Sequence, residues 1–212
     1  MRLVPVALCS AALALGACGG DGKPAATPSA AAAHRSAGPL LEPDDLPDGY
    51  ETSPPDATPE VSTASSPSVP GCDALLDYFR GGTPTGGGQA ARFEAGGTGP
   101  FLAESIGTGL GTGLADLAAR CASFTDTNDG ETTTVSVTAV GDFPKLGEDE
   151  HVFAMTAGGG TAEDTFELSG YLLTVRVDGL TCTIVHFGQP GVNRAETETI
   201  AKAAVGKIKR RE

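Results

Sequence analysis

Residues 171–187 read YLLTVRVDGLTCTIVHF, and this stretch decides the fold. Two apolar, β-branched runs, YLLTVRV and TCTIVHF, flank Asp178-Gly179. Asp-Gly between two such runs is a tight hairpin signal, because both central turn positions need a positive φ. In the first run, alternation points Tyr171, Leu173, Val175 and Val177 inward and leaves Thr174 and Arg176 outside. In the second, Cys182, Ile184 and His186 share one face.

More strands precede the hairpin. TFELSG (165–170), HVFAMTA (151–157) and TTTVSVTAV (132–140) are expected strands, the last alternating Val135, Val137 and Ala139 with polar residues. QAARFEA (89–95) and PFLAESIG (100–107) form another expected pair around a glycine turn. Three helical patterns interrupt this series. CDALLDYF (72–79) puts Cys72, Leu75, Leu76 and Phe79 on one face. GLADLAARCASF (113–124) continues a stripe of Leu110, Leu114, Leu117, Cys121 and Phe124. Residues 194–210 place Thr197, Ala201, Ala204, Val205 and Ile208 on one side. The expected class is α+β: an antiparallel sheet of about six or seven strands, with two or three helices covering one face and a cleft between.

The N-terminus says where the chain goes. Arg2 precedes an apolar run from Leu3 to Leu15, shorter than the roughly 20 residues of a membrane span. It ends on Leu15-Gly16-Ala17-Cys18, which resembles the bacterial lipobox. That resemblance implies removal of residues 1–17 and a lipid on the Cys18 thiol. It places the protein on the extracytoplasmic face of the cell membrane. Residues 18–38, almost free of β-branched and aromatic side chains, read as a tether reaching roughly 25 Å. Residues 39–50 (PLLEPDDLPDGY) read as an extended segment packed on the domain, and 51–70 as a Pro/Ser/Thr-rich loop. A single domain is expected over 39–210.

Formal charge bounds the partners. At −13, the chain lacks the cationic surface that phosphate binding needs, so nucleic acid is excluded. The lipid is then the means of holding the membrane.

The order of these elements resembles a known family. DLPDGY (45–50) opens the domain, and a Cys follows at a helix start. A strand pair leads to a helix carrying a second Cys about 50 residues on. GDF (141–143), the VRVDG hairpin and a final amphipathic helix complete the pattern. Over roughly residues 39–210 the chain resembles the PknH-like extracellular sensor domain of mycobacterial receptor kinases and actinobacterial lipoproteins. The resemblance implies a cleft that senses an envelope ligand and transfers no catalytic residues. The kinase members carry two disulfides, whereas this chain has cysteines for one.

Cys72, Cys121 and Cys182 remain once Cys9 leaves and Cys18 is lipidated, and three pairings are open. Cys72–Cys121 is preferred because it links the inner faces of two helices and fits the resemblance. Cys182 is then a buried free thiol.

Catalytic signatures are wanting. GTGLGTG (107–113) has no G-x-G-x-x-G frame and no following Lys, so it reads as a turn. DTNDGE (126–131) is out of register for a calcium loop, and GEDEH (147–151) reads as a solvated acidic turn. His34, His151 and His186 sit in no nucleophile or metal motif. Lys207, Lys209, Arg210 and Arg211 suit a helix C-terminus. No catalytic residue, metal or cofactor is expected. The expected function is a ligand-binding or sensor-type module, its partner an envelope ligand, a small molecule or a membrane protein. The alternative is a structural or assembly lipoprotein of the envelope that binds a protein.

Overall fold

A computed structural model describes residues 39–54, 66–79, 88–109, 111–128, 130–160 and 165–210. These lie within one unit, Ser36–Glu212. Its elements are β1 (Glu51–Thr52), β2 (Ser66–Pro67), α1 (Asp73–Phe79), β3 (Gln89–Glu94), β4 (Phe101–Gly107), α2 (Leu114–Arg120), β5 (Ser123–Asn128), β6 (Glu131–Ala139), β7 (Glu148–Gly160), β8 (Thr165–Val177), β9 (Leu180–Gly188) and α3 (Arg194–Lys209). The strands make one antiparallel sheet in the order β1-β3-β4-β9-β8-β7-β6-β5-β2. The architecture is α+β, and nine strands exceed the six or seven expected. One merger and three additions account for the difference. TFELSG and YLLTVRV are one continuous strand, β8, while the ends of the supposed 51–70 loop supply both edge strands, β1 and β2. The last turn of the expected 113–124 helix unwinds after Arg120, and Ser123–Asn128 becomes β5. Phe124 therefore enters the core from a strand.

The hairpin of residues 171–187 stands at the centre. Asp178 and Gly179 both adopt positive φ, 49° and 77°, closing β8 onto β9. Its burial departs from simple alternation. Leu172, Leu173, Thr174 and Val175 are all buried, and so are Cys182 through His186. A strand covered on both faces loses the period-two signal. The expectation that helices cover one face is accordingly corrected. On one face α3 packs Ile200, Ala201, Ala204 and Ile208 over Leu173, Val175, Ile184 and Ile106. On the other, α1 and α2 bring Leu75, Leu114 and Ala118 against Leu172, Val185, Val135 and Met155. Thr174, expected outside, lies under the glycine-rich loop. A Cβ on Gly111 would meet its side chain at 2.9 Å, so the loop lies flat against the sheet.

The acidic stretch 147–151 also differs from expectation. Instead of a turn it forms the start of β7, with a register shift between Glu148 and His151. Arg176 pairs there with Glu148 at 3.4 Å and with Asp149. GDF (141–143) forms a turn after β6. It is tied to α3 by Arg194, which bonds both carboxylate oxygens of Asp142.

Candidate functional site

The α3 side of the sheet divides into two halves with opposite chemistry. In the covered half, cross-strand pairing aligns Leu102 with His186, Glu104 with Ile184 and Ile106 with Cys182. Alternation thus puts one carboxylate, one imidazole and one thiol among leucines and isoleucines. The segment 39–50 and α3 then close over them, burying Leu41 and Tyr50.

Each of these polar groups has a partner, as burial demands. Glu104, 1 % exposed, accepts the Leu41 N–H at 2.6 Å and the Cys182 Sγ–H at 3.8 Å. Burial pushes its carboxyl up to about 7. The same burial, together with the Glu104 carboxylate, raises the Cys182 thiol, so no reactive thiolate forms there. Lys207 turns inward from α3. Its ammonium donates to Asp45 at 2.6 Å and sits 3.3 Å from Glu42, pinning the N-terminal segment to the helix. Lys207 lies in the last turn of α3 as its charge suits, but its side chain, 3 % exposed, turns to these carboxylates and away from solvent.

A second chain of bonds runs through His186. The Tyr50 hydroxyl lies 2.7 Å from its Nε2 and donates to Glu196 Oε1 at 2.8 Å. A phenol has one proton, so with that proton on Glu196 the imidazole Nε2 carries its own and donates to Tyr50. Nδ1 then accepts from the Thr197 hydroxyl at 2.8 Å. The carbonyl of Asn193, also within reach of that hydroxyl, keeps the Thr197 N–H at 3.1 Å. This neutral tautomer agrees with the lowering of His186 to about 4, which burial causes. Burial and Glu196 together hold Tyr50 protonated. The network fastens the N-terminal segment, β9 and α3 to one another. It presents no group to solvent in a reactive state: His186 bonds to Tyr50 and Thr197, and the Cys182 thiol to Glu104.

The space beneath α3, expected to form one side of a cleft, is filled. Ile200, Ala201 and Ala204 are fully buried against the sheet. Small alanines let the helix approach the sheet closely.

The open half begins where α3 ends its cover, and it can be followed row by row across β5, β6, β7 and β8. Thr138, Ala154 and Tyr171 align in one row. Ser123, Ser136, Thr156 and Ser169 make the next. Thr125, Thr134, Gly158 and Glu167 follow, and then Thr127 with Thr132. These hydroxyl residues are exposed or partly exposed, with the Ser169 hydroxyl donating to the Pro190 carbonyl at 3.1 Å and so not part of the free array. The Thr127 and Thr132 hydroxyls lie 3.4 Å apart on that face. Glu167 is the charged side chain in these rows.

The expected site residues fall as follows. Cys72 and Cys121 are bridged, with Cα atoms 5.7 Å apart, joining the start of α1 to the end of α2. The bridge closes a loop of 49 residues, worth about 4 kcal/mol in the chain-entropy model. Cys182 is a buried free cysteine on β9. Cys18 and His34 lie outside the described residues. His151 is exposed on β7, far along that strand from the open rows. Among the described residues, no three His, Cys, Asp or Glu side chains converge as a metal site. Reading the sequence for motifs missed Glu104, Tyr50 and Lys207. The signal for Glu104 was present in Leu102-x-Glu104-x-Ile106, where a carboxylate occupies an apolar face.

No protein-family model and no curated protein matches the chain. The chain is similar to two solved structures. The extracellular domain of PknH from Mycobacterium tuberculosis has a TM-score of 0.49 at 15 % identity, over 81 % of this chain and 93 % of that one. A putative uncharacterized protein from Mycobacterium smegmatis has a TM-score of 0.42 at 14 % identity, over 78 % and 92 %. No residue role passes from them. No helix among the described residues is long and apolar enough to cross a membrane.

Proposed function

We propose that this protein is a lipid-anchored, extracytoplasmic binding module of the sensor type, without catalytic activity. The observation that carries the reading is the contrast within one sheet face. The covered half spends its titratable groups on internal bonds. The open half holds an ordered array of hydroxyls on rigid strands, facing solvent. Such an array suits recognition: it offers donors and acceptors in fixed positions, and no nucleophile or activated base stands among them. The lipobox ending at Cys18 supports the anchor, because a thiol-linked diacylglyceryl group is a stable membrane hold.

The test uses the full chain on intact cells. Thr134 is replaced by a photoreactive phenylalanine, and Lys145 on the β6–β7 connection serves as control. Irradiation is expected to capture a partner from position 134 and not from 145. Cys18→Ala is expected to release the protein from the membrane fraction or leave it unprocessed. Equal capture from both positions argues against the binding face. A Cys18→Ala protein that sediments with membranes as wild type does argues against the anchor.

A further inference from the structure

We propose that the open half of the sheet binds a neutral, hydroxyl-rich polysaccharide strand; this rests on the reading of the open half as a binding face. Charge supplies the first argument. The chain carries a formal charge of −13, yet the rows of the open half hold one acid, Glu167, and no cation. A polyanion finds no counter-charge here and is repelled by the rest of the molecule. A cationic partner would be drawn to the acidic edges, such as Glu148 to Glu150, and away from this face. What matches an uncharged hydrogen-bonding surface is an uncharged hydrogen-bonding polymer.

Side-chain chemistry narrows the class. A protein partner wants an aromatic or aliphatic core at the centre of its interface. Here the centre holds Thr134, Thr156 and Ser136. Threonine suits a sugar because its hydroxyl both donates and accepts, and its methyl meets C–H groups. Its β-branched χ1 is already restricted, so little rotamer freedom is lost on binding. The strands hold the hydroxyls about 4.8 Å apart across the sheet, a regular array that an extended chain of rings can follow.

Shape gives the path. Along β7 the outward positions 154 and 158 are Ala and Gly, lower than Thr138 and Thr134 of β6 beside them, while the exposed Thr156 stands between these two low points next to Ser136. Beside the low point at Ala154 stands Tyr171, half-buried and packed on the core. Its ring offers the apolar surface on which a sugar face stacks.

Gly158 provides a selective probe. A Cβ there would meet only the Phe166 carbonyl oxygen, at 3.6 Å, so a side chain fits without disturbing the sheet. The experiment measures retention of the full chain, extracted in neutral detergent, on insoluble chitin and on insoluble cellulose. Heparin resin is the anionic comparison. Retention is expected on at least one neutral polymer and not on heparin. Thr134→Val with Thr156→Val, which keeps shape and strand preference, is expected to reduce retention at least tenfold. Gly158→Leu is expected to do the same by filling the low point beside Thr134, with the melting temperature unchanged for both variants. No retention on either neutral polymer overturns the proposal, as does retention that both variants leave intact. The photo-capture at position 134 separates the two failures. Capture of a protein without polysaccharide retention overturns the glycan class and leaves the binding face standing. Neither capture nor retention overturns both.

Discussion

Val140, Val152, Leu173 and Ile184 form a row in the covered half, and Ser136, Thr156 and Ser169 form a row in the open half, two rows away on the same face. Positions i and i+2 lie about 6.8 Å apart along a strand, so this chemistry changes over about 14 Å. Between them lie Thr138, Ala154, Tyr171 and His186, a row that is apolar or buried toward α3 and hydroxylic toward β6. The difference teaches that the strands themselves are alike in geometry. What distinguishes the halves is whether something lies on top. Where α3 and residues 39–50 cover the sheet, each polar group needs an internal partner. Where nothing in the described residues covers it, hydroxyls can face water.

The halves should therefore respond differently to substitution. The largest effect is expected for Leu173→Ala under α3. Truncating a fully buried leucine costs about 2–5 kcal/mol, and this site, held between a helix and the sheet, has little room to collapse. Urea unfolding monitored by circular dichroism measures it. A cost below 1 kcal/mol would mean that the covered half is not the packed core described here.

Next comes the pH response of the covered half. The Glu104 carboxyl is raised from 4.5 to about 7 in the folded state. A raised carboxyl contributes stability that is fully present below the unfolded value. That stability is lost as pH rises through the folded one. The contribution lost is on the order of 3 kcal/mol. Glu104→Gln carries no such proton, so its stability relative to wild type should improve between pH 4.5 and 8. His186, lowered from 6.5 to about 4, works in the opposite sense: its contribution is present above 6.5 and is lost as pH falls toward 4. Wild type should thus be most stable in mildly acidic solution, and Glu104→Gln should flatten only the alkaline limb. Parallel stability curves for the two proteins would show that Glu104 is not buried.

Tyr50→Phe should cost less, about 1–2 kcal/mol. It keeps the ring that fills the core and leaves the His186 Nε2–H and one Glu196 oxygen without their shared partner. The loss should shrink where His186 is replaced by Phe as well, a coupling that a double-mutant cycle reads.

The smallest effect belongs to the open half. Thr134→Val or Thr138→Val should move stability by no more than about 0.5 kcal/mol, because both sites are exposed and valine is an equally good strand former. A cost of 2 kcal/mol at Thr134 would erase the distinction between the halves and remove the face from consideration as a free surface.

A final check concerns the other side of the sheet. Cys72 and Cys121 are bridged and Cys182 is buried beside Glu104, so denaturation without reductant should expose a single alkylatable thiol in the described domain, at Cys182. Labelling of Cys72 or Cys121 would contradict the bridge.

The sequence by itself determined the central elements. The Asp178-Gly179 hairpin, the α3 stripe of Thr197, Ala201, Ala204, Val205 and Ile208, and the β3–β4 pair are local patterns, set by turn chemistry and by periods of 2 and 3.6. The run of leucines and valines from 171 to 177 also held the information that both faces are covered, although alternation alone suggested one. Only the tertiary structure decided which helix lies on which face, because that depends on long connections and not on local periodicity. It also decided the fate of the polar groups. Nothing local to Glu104, Lys207 or Tyr50 says that residues far apart in the chain will meet; they do so because each belongs to a different element closing over one core. The open face arises the same way. A threonine reads alike in sequence whether a helix covers it or water does, and the reach of a 16-residue helix, about 24 Å, settles which.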